Sequence, residues 1–316
     1  MRRRLGRLWL LAPLALLLGL PLLLLIAPRI AHAREADRHT LSAGGRERWY
    51  LLHVPPALDL SRPVPLVLLF HGGGGNPYQA RRAYGWVEKA NAEGFIVAFP
   101  AGSGRTDTLL TWNAGACCAY AMREQVDDVA FVKALVADLR RRFPIDPGRI
   151  YATGISNGGG MAHRLAAEKA GLFAGVGIVA GAVTLSPRWQ PSEPVAAMVI
   201  HGTEDSHVRY TGGLGPNAHR GAFSDIVTPS PAQVTEYWSR INKCDPTPVE
   251  STGPERRILT YRRDGGGPEV VFVTVEGGGH AWPGSRGLKR GSLAPTQAFL
   301  ATDFLWHFFA AHPKPR

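Results

Sequence analysis

A series of short apolar runs that do not alternate with polar residues constrains this chain more than any other feature. They are Val64–Phe70, 95–99, 150–155 and 195–200, with 173–180 reading as a further one. Runs of strand length without alternation are what strands buried on both faces look like, because neither side meets water. Helical stretches separate them. The clearest is 128–143, where Val129, Phe131, Val132, Leu135, Val136 and Leu139 trace one face behind an Asp127 cap, and another follows Ser156 from Asn157 to about Ala170. This alternation predicts an α/β fold with a mostly parallel central sheet and helices on both faces.

An opening strand is expected over 46–54, after an irregular stretch to about Leu41 and before the break at Pro55-Pro56. Near the other end, 258–263 and 269–275 flank Asp264-Gly265-Gly266-Gly267 as a β-ribbon, and 295–312 reads as a closing amphipathic helix.

The N-terminus places Arg2, Arg3, Arg4 and Arg7 before an apolar run from Leu8 to Ala27 and then Ala31-His32-Ala33, a small-x-small cleavage pattern. That order predicts an export signal over 1–33 and a single catalytic domain over 34–316, secreted or periplasmic. An uncleaved anchor is the alternative, since the run is about as long as a bilayer is thick, although Pro13 and Pro21 suit a straight helix poorly. The formal charge of +11 falls to +6 without that segment, 31 basic residues remaining against 25 acidic. Its densest basic groups, 140–142 and 256–263, lie at a helix end and along a hairpin, so no nucleic-acid partner is expected. Of the three cysteines, one of the adjacent Cys117 and Cys118 is expected to bridge to Cys244 in an oxidising compartment.

The strand at 150–155 runs into Gly154-Ile155-Ser156-Asn157-Gly158 and then a helix, the strand-turn-helix context of a nucleophile elbow. A serine hydroxyl needs an imidazole to take its proton, and the imidazole needs an acid to fix its tautomer. Asp205 follows the buried strand ending at Ile200, and His280 follows Gly277-Gly278-Gly279 beyond another strand, so Ser156, Asp205 and His280 are the expected catalytic residues. Glu204 is expected to point elsewhere, and Asp225 and Asp245 are not tied to a strand end. His201 is expected to be a hydrogen-bonded structural histidine, and His207 follows Asp205 too closely to be its partner. No HExxH-like spacing supports a metal site. The oxyanion of an acyl transfer needs preset donors, and His71-Gly72-Gly73-Gly74-Gly75-Asn76 after a central strand is a place for one; the backbone N–H groups of Gly73 and Asn157 are the candidates. No Gly-Lys-Ser/Thr follows, so this glycine run is not a phosphate loop.

Taken together, Phe70 to Asn76 (FHGGGGN), Trp112-Asn113-Ala114-Gly115 with Cys117-Cys118, Val126-Asp127-Asp128-Val129, Tyr151 to Gly160 (YATGISNGGG), His201-Gly202-Thr203 with Asp205, and Gly279-His280-Ala281-Trp282-Pro283-Gly284 resemble the esterase/polyhydroxybutyrate depolymerase family, which includes feruloyl and acetylxylan esterases. The resemblance spans nearly all of 34–316, in order. It implies an α/β-hydrolase fold, the same triad, and Trp112 and Trp282 near the substrate; two-step acyl transfer by such a triad requires no metal or organic cofactor. The chain departs from many members at Gly73 and Gly74. Depolymerases of solid polymer generally carry a separate binding domain, and none fits here, so hydroxyalkanoate oligomers or short soluble esters are the expected substrates. Feruloyl or acetylxylan esters are the alternative, and acyl transfer to another alcohol on the same scaffold a further one.

Overall fold

A computed structural model of the chain describes residues 38–115, 118–214, 227–286 and 294–315. The expected export signal, Cys117 and Asp225 lie outside the described residues. No helix among the described residues is long and apolar enough to cross a membrane.

Twelve strands are present: β1 (Arg38–Ala43), β2 (Arg46–His53), β3 (Val64–Phe70), β4 (Ile96–Pro100), β5 (Ile145–Ile155), β6 (Gly175–Val179), β7 (Ala196–Gly202), the short β8 (Gly213–Leu214) and β9 (Val227–Thr228), β10 (Val249–Gly253), β11 (Arg256–Tyr261) and β12 (Val270–Val275). Ten of them make one sheet in the order β1-β2-β4-β3-β5-β6-β7-β12-β11-β10. The six strands from β4 to β12 in that order are parallel, and β2, β11 and β10 pair antiparallel at the flanks. β11 pairs β12 as the expected ribbon, with Ile258 opposite Val273.

The helices are α1 (Pro77–Ala83), α2 (Trp86–Glu93), α3 (Ala119–Arg123), α4 (Asp128–Arg142), α5 (Asn157–Glu168), α6 (Pro231–Ile241) and α7 (Ala301–Ala311). Every residue of β3 is buried, because its side chains feed two cores. Leu66, Leu68 and Phe70 join Phe131, Leu135, Met161, Leu165 and Trp238 of α4, α5 and α6. Val67 and Leu69 face the other way, with Trp86, Ala90, Leu305 and Phe309 of α2 and α7. Helices therefore cover both faces, which is why these strands read as unbroken apolar runs. Asp127 caps α4 by accepting the Ala130 N–H at 2.8 Å.

Three expectations are corrected. Strand β1 replaces the irregular stretch before Leu41. The closing helix begins at Ala301, not at 295, because the preceding backbone is committed elsewhere: Thr296 C=O accepts the Gly284 N–H at 2.8 Å and Pro283 C=O accepts that of Ala301 at 3.0 Å. The bridge to Cys244 does not form: Cys244 is a free thiol, whereas Cys118 is disulfide-bonded to a partner outside the described residues. Distance explains this. Cys118 packs against Ala182 and Val208, beyond the carboxyl ends of β6 and β7, and Cys244 lies by Pro268, before the start of β12.

Candidate active site

Ser156 stands between the last residue of β5 and the first of α5, with φ 57° and ψ −123°. A non-glycine residue there is strained by roughly 1–3 kcal/mol, and such strain persists only where its surroundings hold it. Here the backbone is pinned on both sides. Ser156 N–H donates to Val179 C=O at 2.9 Å, and its own C=O accepts from Gly160 at 2.9 Å and Ala182 at 3.0 Å. The flanking glycines are obligatory: a Cβ on Gly154 would lie 2.6 Å from Gly158 backbone, and one on Gly158 would lie 2.3 Å from the Phe70 carbonyl oxygen. Such approaches are closer than any real contact, so the elbow fixes residue type two positions to either side of the serine.

The glycine run after β3 lies against this elbow, a Cβ on Gly72 standing 3.6 Å from that of Ser156. Gly74 N–H donates to Leu110 C=O at 2.8 Å and Gly75 N–H to Gly72 C=O at 3.0 Å, while no acceptor among the described residues takes the N–H of Gly73. His71 anchors the run from below. Its Nε2 accepts the Gly102 N–H at 3.1 Å and its Nδ1 lies 2.9 Å from Gly72 C=O, so the proton belongs on Nδ1. Burial pushes this imidazole down to about 4, the Gly72 bond opposing and the Arg48 charge adding to the shift, and it stays neutral at ordinary pH.

Asp205 and His280 arrive from the carboxyl ends of β7 and β12, two strands side by side in the sheet. Their loops are clipped together, Thr203 Oγ1 accepting the Gly277 N–H at 2.8 Å and Gly278 C=O accepting the Glu204 N–H at 2.9 Å. Gly202 allows that closeness, since a Cβ on it would lie 2.1 Å from the Gly278 oxygen. The clip brings His280 Nδ1 to 2.8 Å from Asp205 Oδ2. Asp205 Oδ1 accepts the N–H groups of His207 at 2.8 Å and Val208 at 2.9 Å. His201 is buried with Nε2 donating to Val208 C=O at 2.8 Å and lying 3.3 Å from Asp205 Oδ2. Burial alone would raise the Asp205 carboxyl, but the hydrogen bonds and charges of His201 and His280 outweigh it and hold the group well below the usual carboxylate range. It is therefore an anion facing an Nδ1–H, which leaves Nε2 of His280 as the basic atom.

The structure thus joins Asp205 to His280 directly and places Ser156 at the same carboxyl edge, at the end of β5, three positions from β12 in the strand order. No hydrogen bond is made between the Ser156 hydroxyl and His280 Nε2. Glu204 is exposed and engages neither histidine through its side chain. His201 has the structural place expected of it. His207 is closer to the site than sequence reasoning allowed: its ring stacks on His280 with centroids 4.8 Å apart and planes 25° apart. Ligand atoms of Asp205, His207 and His280 lie within 4.8 Å of one another. As they stand, both Asp205 oxygens are engaged and the two rings present faces, rather than nitrogens, to each other.

The tryptophans expected near the substrate are both buried. Trp112 and Trp282 are 0% and 1% exposed, so neither offers a surface to a ligand. Trp112 Nε1 donates to His71 C=O at 3.0 Å, and its ring meets Phe70 edge-on. Trp282 stacks on Tyr84 at 4.7 Å and donates Nε1 to Thr302 Oγ1 at 3.1 Å. A supporting network was also missed: buried Arg48 and Asp128 pair at 2.8 Å, and Asp128 Oδ2 accepts the Asn113 N–H at 2.8 Å, which fixes the loop beside the elbow. A cavity of about 400 Å³ lined by Leu58, Arg149, Tyr151 and Trp306 opens at the opposite end of the sheet, at the amino ends of β3 and β5. Ligands of open parallel sheets bind at the carboxyl ends, so the Ser156 edge is the candidate site.

The model of a family described as "Esterase PHB depolymerase" matches residues 48–210, from the start of the sheet through the loop that carries Asp205. The chain belongs to this family. It is 34% identical over 269 residues to the "Putative esterase NocK" of Nocardia uniformis subsp. tsuyamanensis, covering 81% of this chain and 76% of the relative. It is 29% identical to feruloyl esterase C of Emericella nidulans, covering 84% of each. With feruloyl esterase B of Piromyces equi the identity is 28%, and the match spans 74% of this chain but 42% of that longer protein. Among solved structures, an acetyl xylan esterase from Aspergillus awamori matches with a TM-score of 0.57 at 14% identity, over 86% of this chain and 98% of that one, a likeness of fold. This Esterase PHB depolymerase family member is a carboxylic ester hydrolase on an α/β-hydrolase fold.

Proposed function

We propose that this family member is an exported serine esterase in which Ser156 is the nucleophile, His280 its general base and Asp205 the acid that orients the imidazole. The observation that carries this reading is a strained serine, φ 57°, on the same sheet edge as an imidazole held at 2.8 Å by a buried carboxylate. Ser156 attacks the ester carbonyl carbon and its proton passes to Nε2 of His280, whose positive charge Asp205 offsets. The oxygen of the tetrahedral intermediate is met by the N–H groups of Gly73 and Asn157, which stand on the two sides of the elbow. Collapse expels the alcohol with the proton from His280. Water then repeats the sequence on the acyl-enzyme and frees the acid. The contact between Ser156 and His280 belongs to the substrate-bound state, as catalytic hydrogen bonds are often long in free enzymes.

The substrates we assign are soluble carboxylic esters, hydroxyalkanoate oligomers or short acyl esters. Feruloyl or acetyl esters of plant polysaccharide are the second reading, favoured by the names of the relatives. The arginine-led apolar segment over 1–33 supports export. A fluorophosphonate probe should label Ser156 alone, as mapped by mass spectrometry, and Ser156→Ala should cost about five to six orders of magnitude in kcat. Turnover by Ser156→Ala near the wild-type rate would remove the proposal. A panel of p-nitrophenyl esters, hydroxybutyrate oligomers, feruloyl sugars and acetylated xylan separates the two substrate readings, and product analysis with an added alcohol detects acyl transfer.

A further inference from the structure

We propose that His207 is a positioning residue for His280, acting through the face of its ring. The inference rests on the triad reading above and concerns how the base is held. A single hydrogen bond from Nδ1 to Asp205 Oδ2 fixes one edge of the His280 ring and leaves its plane free to rock about that bond. The stacked ring of His207, 4.8 Å away and tilted by 25°, supplies the missing constraint. Both rings depend on one carboxylate. Asp205 Oδ2 holds the His280 side chain, and Asp205 Oδ1 holds the backbone N–H of His207 at 2.8 Å, which sets where the second ring departs from the chain. Ser206 Oγ, 3.3 Å from His207 Nδ1, gives that ring a further contact.

The stack also favours the reaction's charged state. When His280 takes the Ser156 proton, the face of an uncharged His207 ring over the imidazolium attracts it through the ring quadrupole, an attraction that the neutral His280 ring does not share. The gain falls on kcat rather than on KM, because the cation exists in the transition state and not in the free enzyme. The arrangement is isolated cleanly by substitution. His207 is exposed, and its bond to Asp205 is made by the backbone, so any side chain at 207 keeps it.

His207→Ala should lower kcat for p-nitrophenyl acetate about three- to ten-fold with KM unchanged within about two-fold, the size of one aromatic stack. His207→Phe keeps a stacking face without the imidazole nitrogens and should return kcat to within about two-fold of wild type. In the free enzyme, the low-field proton resonance of the His280–Asp205 bond should exchange faster with water in His207→Ala and at the wild-type rate in His207→Phe. That resonance is read without substrate, so it tests the positioning role even if Ser156 proves not to be the nucleophile. A His207→Ala enzyme with unchanged kcat and unchanged exchange overturns the inference, as does a His207→Phe enzyme as impaired as His207→Ala.

Discussion

Asn157 closes a two-bond ring on the backbone of Trp112, its Oδ1 taking the Trp112 N–H at 2.7 Å and its Nδ2 donating to the Trp112 carbonyl at 3.0 Å. The residue immediately after the elbow serine thereby holds the loop that runs past the site. Both partners are fully buried, so nothing replaces the Trp112 N–H bond when the amide is removed, whereas the Trp112 carbonyl keeps the N–H groups of Ala114 at 3.0 Å and Cys118 at 3.3 Å. Asn157→Ala should lose on the order of 1–3 kcal/mol, the cost of one orphaned buried N–H. Thermal denaturation should show Tm lower by roughly 3–10 °C. A fall of only a degree or two would mean that water enters the gap.

Asp205→Asn separates the two jobs of this carboxylate. The side-chain oxygen that accepts from His207 and Val208 survives, so the loop stays in place and Tm should change little. The other position becomes an NH2 facing Nδ1–H of His280, donor against donor, and the imidazole turns to the tautomer that cannot accept a proton at Nε2. Turnover should fall by about four orders of magnitude. A loss of less than ten-fold in steady-state kcat would show that another group orients His280.

Two fully buried imidazoles tie stability to acid. Burial holds His71 and His163 down to about 4. In the unfolded chain each takes a proton near 6.5. Between those values the unfolded state binds protons that the folded state refuses, so the stability is complete above pH 6.5 and is lost as pH falls towards 4, by about 3 kcal/mol for each ring. Asp205, held well below the usual carboxylate range, adds to the slope only as pH nears 4, where the unfolded carboxyl begins to take a proton. His163→Gln retains an acceptor for Trp238 Nε1 and should remove roughly half of the decline seen in urea midpoints between pH 6.5 and 4. Parallel curves for the two proteins would assign the acid sensitivity elsewhere.

The parts of this molecule legible in the sequence are those whose cause is local. The parallel core announced itself because β3 and β4 are apolar at every position and β7 from Ala196 to Ile200, and the elbow because Gly154 and Gly158 flank Ser156 at the junction of a strand and a helix. Helix α6 carried its own signature, Ser230, Pro231 and Gln233 forming a capping box, yet lies outside the strand-helix rhythm that guided the reading. The stack of His207 on His280 was not legible, since it joins loops from two strands and no spacing encodes a ring's plane. Nor was the pairing of cysteines, which depends on which end of the sheet each one reaches.

Trp282 lies close to His280 along the chain and is nonetheless packed in the core. It follows His280 by two residues, but the turn between them drives its ring inward, where it stacks on Tyr84 and donates to Thr302 Oγ1, which in turn donates to Tyr84 C=O. Trp282→Phe keeps most of the buried ring and removes one N–H. The cost should be about 1 kcal/mol, one buried hydrogen bond, visible as a Tm lower by about 2–4 °C. The KM for short and aromatic esters should stay within about two-fold, because a residue with no exposed face contributes no binding energy that is lost on substitution. If KM instead rose ten-fold for feruloyl esters alone, the indole would have to swing out of the core when an aromatic acyl group binds, and the packing role drawn from its burial would give way to a substrate contact.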